Sequence, residues 1–147
     1  MTIKEITPRQ AHETLSADQS AVYIDVRTVQ EFANGHPAGA VNIPVAFADP
    51  ARGMVMNPDF VSVVEKNFTK DRRIIVGCQA GPRSTRAAGM LLEAGYQDIA
   101  NLLGGFGGIR DQTGTLIAPG WQASGLPVSN DNGDGVSYES LKLKSKN

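Results

Sequence analysis

The apolar positions fall into short runs of two kinds, and the way these alternate predicts the architecture. Ala21-Val22-Tyr23-Ile24-Asp25-Val26 and Arg73-Ile74-Ile75-Val76-Gly77 are brief, β-branched and almost uninterrupted, as expected of strands buried on both faces of a parallel sheet. Ala40 to Ile43, stopped by Pro44, and Asp98 to Leu103 read as two more strands. Between the strands the period lengthens. Thr7-Pro8-Arg9-Gln10 combines a cap residue, a proline at the first helical position and a glutamine three residues after the cap, predicting a helix over 8–16. Thr28 with Glu31 repeats the capping box. Asn57-Pro58 opens a segment in which Phe60, Val61, Val64 and Phe68 recur at helical spacing, and Ala87, Ala88, Leu91 and Leu92 do the same after Ser84. Residues 44–57 hold Pro50 and Gly53 without any period, which predicts a loop.

Alternating strands and helices imply an α/β domain with a mainly parallel central sheet, helices on both faces and right-handed crossovers. A chain of 147 residues suits one domain of this kind. From Ser129 onward the composition turns to Asn, Asp, Gly, Ser and Lys. Residues 129–147 therefore read as a loose polar tail, within which Tyr138, Leu141 and Leu143 could dock one short element.

Composition narrows the function classes. A hydrophobic content of 41% and a charged content of 20% are those of a soluble protein, and no apolar run approaches the ~20 residues of a membrane span. A formal net charge of −1, with both signs intermixed, provides no field for nucleic acid or an anionic lipid surface. Residues 1–8 lack an apolar export core, so a cytoplasmic location is expected. Cys78 is the single cysteine, which rules out an intramolecular disulfide, a cysteine-based zinc site or a two-cysteine redox motif within the chain. His12 and His36 stand far apart without a third ligand at metal-binding spacing; neither metal nor cofactor is expected.

Cys78 stands directly where a buried strand ends, the edge at which parallel sheets bind ligands. Gln79-Ala80-Gly81-Pro82-Arg83-Ser84 leads from it into a helix. Successive backbone N–H groups could therefore curl around the sulfur as an anion cradle, with Gly81 supplying the backbone freedom. A helix N-terminus and the Arg83 guanidinium favour thiolate over thiol. The same donors would stabilise a terminal persulfide or hold the oxyanion end of a donor such as thiosulfate. The competing reading is an inert core cysteine.

The segment Cys78-Gln79-Ala80-Gly81-Pro82-Arg83-Ser84 resembles the active-site loop of the rhodanese (thiosulfate sulfurtransferase) family, in its single-domain form. Asp25-Val26-Arg27, Glu31-Phe32, Gly35-His36-Pro37-Ala38-Gly39-Ala40 and Asn42-Ile43-Pro44 resemble that family's N-terminal half in the expected order. Gly104-Gly105, Trp121 and Gly125-Leu126-Pro127 resemble its C-terminal closure. The resemblance implies a rhodanese-like domain over 1–128 with a five-stranded sheet. It also implies a ping-pong exchange in which Cys78 takes a sulfane sulfur from thiosulfate or a persulfide and yields it to cyanide or a thiol, a protein acceptor included. By similarity Cys78 is the nucleophile, Gln79, Ala80, Gly81, Arg83 and Ser84 bind the donor, and Asp25, Arg27 and His36 support the loop. A monomer or weak homodimer is expected.

Three departures qualify the likeness. Gln79 stands where many thiosulfate users carry a basic residue, which weakens attraction for a small dianion. Pro82 removes one cradle donor. Residues 106–119 look like an insertion near the active-site edge, expected to line the pocket or meet an acceptor protein. Two other readings stay open: a non-catalytic binding module of the same fold, and a cysteine phosphatase or arsenate reductase. Against the latter, Cys78 and Arg83 are one residue closer than in the phosphatase signature.

Overall fold

The computed structural model describes residues 3–144. In chain order the elements are β1 (Lys4–Ile6), α1 (Pro8–Ala17), β2 (Val22–Asp25), α2 (Val29–Ala33), β3 (His36–Pro37), β4 (Val41–Asn42), β5 (Ala46–Asp49) and β6 (Gly53–Met56). They continue with α3 (Phe60–Asn67), β7 (Arg73–Gly77), α4 (Pro82–Glu93), β8 (Asp98–Leu102), β9 (Ile109–Arg110), β10 (Leu116–Ala118), β11 (Val128–Ser129) and α5 (Tyr138–Lys142).

Five strands form the central sheet in the order β1-β8-β7-β2-β4, and every pairing within it is parallel. Burial on both faces explains the apolar runs. Ile24, Ile74 and Val76 pack into a cluster with Phe60, Val63 and Val64 of α3, Ala87, Ala88 and Leu91 of α4, and Tyr138 and Leu141 of α5. Tyr23 and Ile75, one residue out of phase, pack on the other face with Ala11 of α1, Phe32 of α2, Phe106 and Trp121. A strand exposes successive side chains to opposite faces, so each run feeds both layers. Both capping boxes form as expected.

Two expectations are corrected, and one strand is added that the sequence reading did not place. Residues 44–57 are not a loop: β5 and β6 form an antiparallel hairpin from Ala46 opposite Met56 to Asp49 opposite Gly53. Pro50 belongs to its turn and Gly53 opens its second strand, the turn being closed by Asp49 Oδ1 accepting from the N–H groups of Ala51 and Arg52 at 2.8 and 3.0 Å. A strand also precedes the first helix, because β1 occupies the sheet edge with Lys4 and Glu5 exposed. Nor is the polar tail loose over its described part. β11 pairs with β3, the Asn42 N–H donates to Val136 O at 2.9 Å, and α5 buries Tyr138 and Leu141, while Leu143 remains 73% exposed. Tyr138 is also anchored through its hydroxyl, which accepts from Asn57 Nδ2 at 3.1 Å. Among the described residues, no helix is long and apolar enough to cross a membrane.

Candidate active site

β7 lies between β8 and β2, so the residue that follows it emerges near the middle of the sheet's carboxyl edge. That residue is Cys78, 2% exposed. The chain then turns at Gly81, whose φ of 141° is one that side-chain-bearing residues rarely adopt, and enters α4 at Pro82. The turn brings the Gly81 N–H to 3.1 Å from Cys78 Sγ. Of the ring of donors expected around the sulfur, this is the one that forms a hydrogen bond. Pro82 has no N–H to offer. The Gly81 carbonyl accepts from Thr85 N, Ser84 Oγ and Thr85 Oγ1 at 3.0, 3.0 and 2.9 Å. Ser84, fully buried, thus spends its hydroxyl on fixing the loop.

The loop is gripped from behind. Phe106 N–H donates to Cys78 O at 2.7 Å and Gly107 N–H to Gln79 O at 2.8 Å. A β-carbon on Gly105 would lie 2.4 Å from Cys78 O, which makes glycine obligatory there. Of the insertion expected at 106–119, Phe106 and Gly107 therefore reach the site. Residues 109–118 fold on themselves as the β9–β10 hairpin, and the Trp121 N–H returns to Gly105 O at 2.9 Å. The excursion leaves and rejoins the fold at one place, so the buried Trp121 keeps its seat.

Arg27 is the hub beneath. Its guanidinium, 3% exposed, donates to Asp25 through Nε at 3.0 Å and Nη2 at 2.8 Å, to Gly35 O at 2.7 Å and to Gln79 Oε1 at 3.1 Å. It also lies over the Phe106 ring at 4.6 Å. Asn42 Nδ2 donates to the carbonyls of Asp25 and Arg27 at 3.0 and 3.1 Å. Asp25 and Arg27, expected to support the loop, are thus tied to each other and, through Arg27, to the Gln79 side chain. His36, also expected to support the loop, is 1% exposed, stacks on Phe32 at 3.6 Å and places Nδ1 2.8 Å from Phe32 O. Tyr23 lies under the strand itself: its hydroxyl fills the space where a β-carbon at Gly77 would stand. Burial first, then the charges of Asp25 and Cys78, push this phenol's pKa well up.

Arg83, expected to face the sulfur, is instead engaged with Glu31. Nη1 and Nη2 donate to Oε1 and Oε2 at 2.6 and 3.0 Å, with side-chain exposures of 23% and 32%. Glu31 Oε1 also completes the capping box from Thr28 N at 3.1 Å. Burial raises the Glu31 pKa, but the Arg83 and Thr28 hydrogen bonds outweigh it and hold the carboxyl at about 2. The Glu31 hydrogen bonds come first in raising the Arg83 pKa, and electrostatic attraction to Glu31, Cys78 and Asp25 adds to the rise. Glu31 is thus a site residue that sequence reasoning did not assign, and Phe106 and Gly107 were marked only as part of the 106–119 segment. The capping box marked only the neighbourhood of Glu31. Two cavities lie away from this loop. One of about 950 Å³ opens at the amino ends of β2 and β4, beside Phe68 and Arg72, and one of about 260 Å³ lies beside His12 and Trp121.

A sheet of this order with a cysteine loop running into a helix defines the rhodanese-like fold, and the chain belongs to the rhodanese-like domain family, whose model matches residues 7–112. It is 39% identical over 118 residues to thiosulfate sulfurtransferase 16, chloroplastic, of Arabidopsis thaliana, covering 80% of this chain and 86% of that one. It is 48% identical over 84 residues to the mitochondrial protein HIGH ARSENIC CONTENT 1 of the same plant, 57% of this chain and 49% of the relative. The chain therefore spans about half of that second protein. Among solved structures, Rv0390 from M. tuberculosis superposes with a TM-score of 0.75 at 33% identity, covering 89% of this chain and all of the other.

Proposed function

We propose that the protein is a sulfurtransferase that carries sulfane sulfur as a persulfide on Cys78. The observation that carries this reading is the Gly81 N–H held on Cys78 Sγ at 3.1 Å, at the start of a 12-residue helix. There the helix dipole and the amide both favour a negative sulfur. The thiolate attacks the outer sulfur of the donor. With thiosulfate the new Sγ–S bond forms as the S–S bond breaks, the bonding pair leaves with sulfite, and Cys78 is left as a persulfide anion. An acceptor, cyanide or a thiolate, then takes the outer sulfur and the thiolate returns. The Gly81 amide can serve both steps, because the sulfur is anionic before and after transfer. Arg27 and Asp25 keep the loop in place and do not react. The name thiosulfate sulfurtransferase of one relative supports the donor class.

Intact mass tests the proposal. Incubation with thiosulfate or an alkyl persulfide is expected to add one sulfur, removable by cyanide and absent from Cys78→Ser. A chain that gains no sulfur from either donor is not a sulfurtransferase, and its fold then serves as a binding module. A second reading, turnover of an arsenic or phosphorus oxyanion, draws on the name of the other relative. Arsenite or phosphate release without any persulfide would establish it. We further propose that residues 109–118, with Ile117 62% exposed, meet a protein acceptor. Shortening the hairpin without slowing transfer to any protein thiol would remove that idea.

A further inference from the structure

We propose that Glu31 is a specificity-determining residue. By holding Arg83 in a two-point ion pair, it withdraws that guanidinium from the donor and turns the site toward singly charged persulfide donors and away from dianions such as thiosulfate. The inference rests on the sulfur-transfer reading above.

Two guanidiniums bear on the loop, and each is matched by a carboxylate. Arg27 pairs with Asp25 at 2.8 Å and Arg83 with Glu31 at 2.6 Å. Arg27 is spent further on Gly35 O and on the side chain of Gln79, and the residue next to the nucleophile is a neutral amide. The four side chains therefore sum to zero, leaving the Gly81 N–H and the helix end as the attraction for an anion. Glu31 is well placed to keep this balance. The capping box with Thr28 fixes its carboxylate from the α2 side, and a carboxyl held at about 2 stays ionised across the physiological range.

The charge balance of the reaction makes this matter. Attack on thiosulfate brings a thiolate and a dianion together, three negative charges in all, and releases sulfite with two of them. Attack on an alkyl persulfide anion brings two together and releases a thiolate with one. With Arg27 and Arg83 both held by carboxylates, the difference bears on donor choice.

Glu31→Gln removes the charge and keeps a side chain able to complete the capping box, so Arg83 becomes available to the donor. We expect the ratio of the second-order rate constants for persulfide formation, thiosulfate over 2-hydroxyethyl persulfide, to rise about three- to tenfold at low salt. The gain should appear as a lower half-saturating thiosulfate concentration and fade at about 1 M salt. Gln79→Lys adds a cation from the other side of the loop without touching α2, and is expected to move the ratio in the same direction. An unchanged or lowered ratio in a folded Glu31→Gln variant overturns the proposal and leaves Glu31 a structural residue. Should that variant fail to fold, an unchanged or lowered ratio in Gln79→Lys overturns it. Absence of sulfur on Cys78 in the parent protein with either donor would overturn the underlying reading and this one with it.

Discussion

Helices α1 and α2 begin with the same device and end up in different company. At α1, Thr7 Oγ1 accepts from Gln10 N at 3.2 Å and Gln10 Oε1 accepts from Thr7 N at 2.9 Å, both residues exposed. At α2, Thr28 and Glu31 make the same pair of bonds at 3.2 and 3.1 Å, but Thr28 is 4% exposed and Glu31 also holds Arg83 from 52 residues away. The difference continues at the far end. The Asp18 N–H after α1 returns to its own helix at Thr14 O, whereas the Gly35 carbonyl after α2 receives Arg27. A local motif thus sets where a helix starts, and the sheet decides whether that start becomes part of a site.

The severest way to break the α2 side is Arg27→Ala. It leaves Asp25, 1% exposed, as a buried carboxylate without its counter-ion, a loss of about 3–5 kcal/mol. The Gly35 carbonyl and Gln79 lose their donor at the same stroke. Urea unfolding should record the fall in midpoint, together with slower sulfur loading, and an unchanged midpoint would contradict the hub described for Arg27.

Much of this architecture was legible in the chain, and the illegible parts share a cause. Strands such as Val22–Asp25 and Arg73–Gly77 are buried on both faces, so their composition alone announces them. β1 is an edge strand with two exposed residues of three, and the β5–β6 hairpin fully buries only Ala46; neither needs an apolar run. The nucleophile, the loop and its glycine are contiguous and were readable together. The partners of Arg83 and of the Cys78 carbonyl were not, because Glu31 and Phe106 come from α2 and from the turn after β8. Topology brings them there, and no spacing in the sequence encodes it. The tail docks for a similar reason: Tyr138 and Leu141 find α3 and Asn57 waiting.

A milder break is Arg83→Ala, which leaves Glu31 partly solvated and so costs less than the loss of Arg27. The sign of its pH dependence follows from the direction of the shift. The Glu31 carboxyl is held at about 2 when folded, below its ordinary 4.5, so its contribution is complete above about pH 4.5 and is lost as pH falls toward 2. With about a third of the side chain exposed, solvent screening reduces that contribution to about 1–2 kcal/mol. The stability gap between the parent and Arg83→Ala should be present at pH 7 and narrow between pH 4.5 and 2. A gap that stays constant over that window would mean that Arg83 acts through packing instead of charge.

The smallest effect is the one that separates the two boxes most cleanly. Thr7→Ala removes a cap oxygen at the solvent, worth about 0.5–1 kcal/mol, and nothing in the site touches Thr7. Thr28→Ala removes the same atom type, but Thr28 Oγ1 also donates to Glu31 Oε1 at 3.1 Å, so the carboxylate that holds Arg83 loses one of its guides. Both variants should lower the urea midpoint. Only Thr28→Ala should also change the thiosulfate-to-persulfide selectivity, because Arg83 then has a less well-placed partner. If Thr7→Ala changes selectivity by as much, the α2 box has no special tie to the loop, and the contrast between the two helices is one of burial alone.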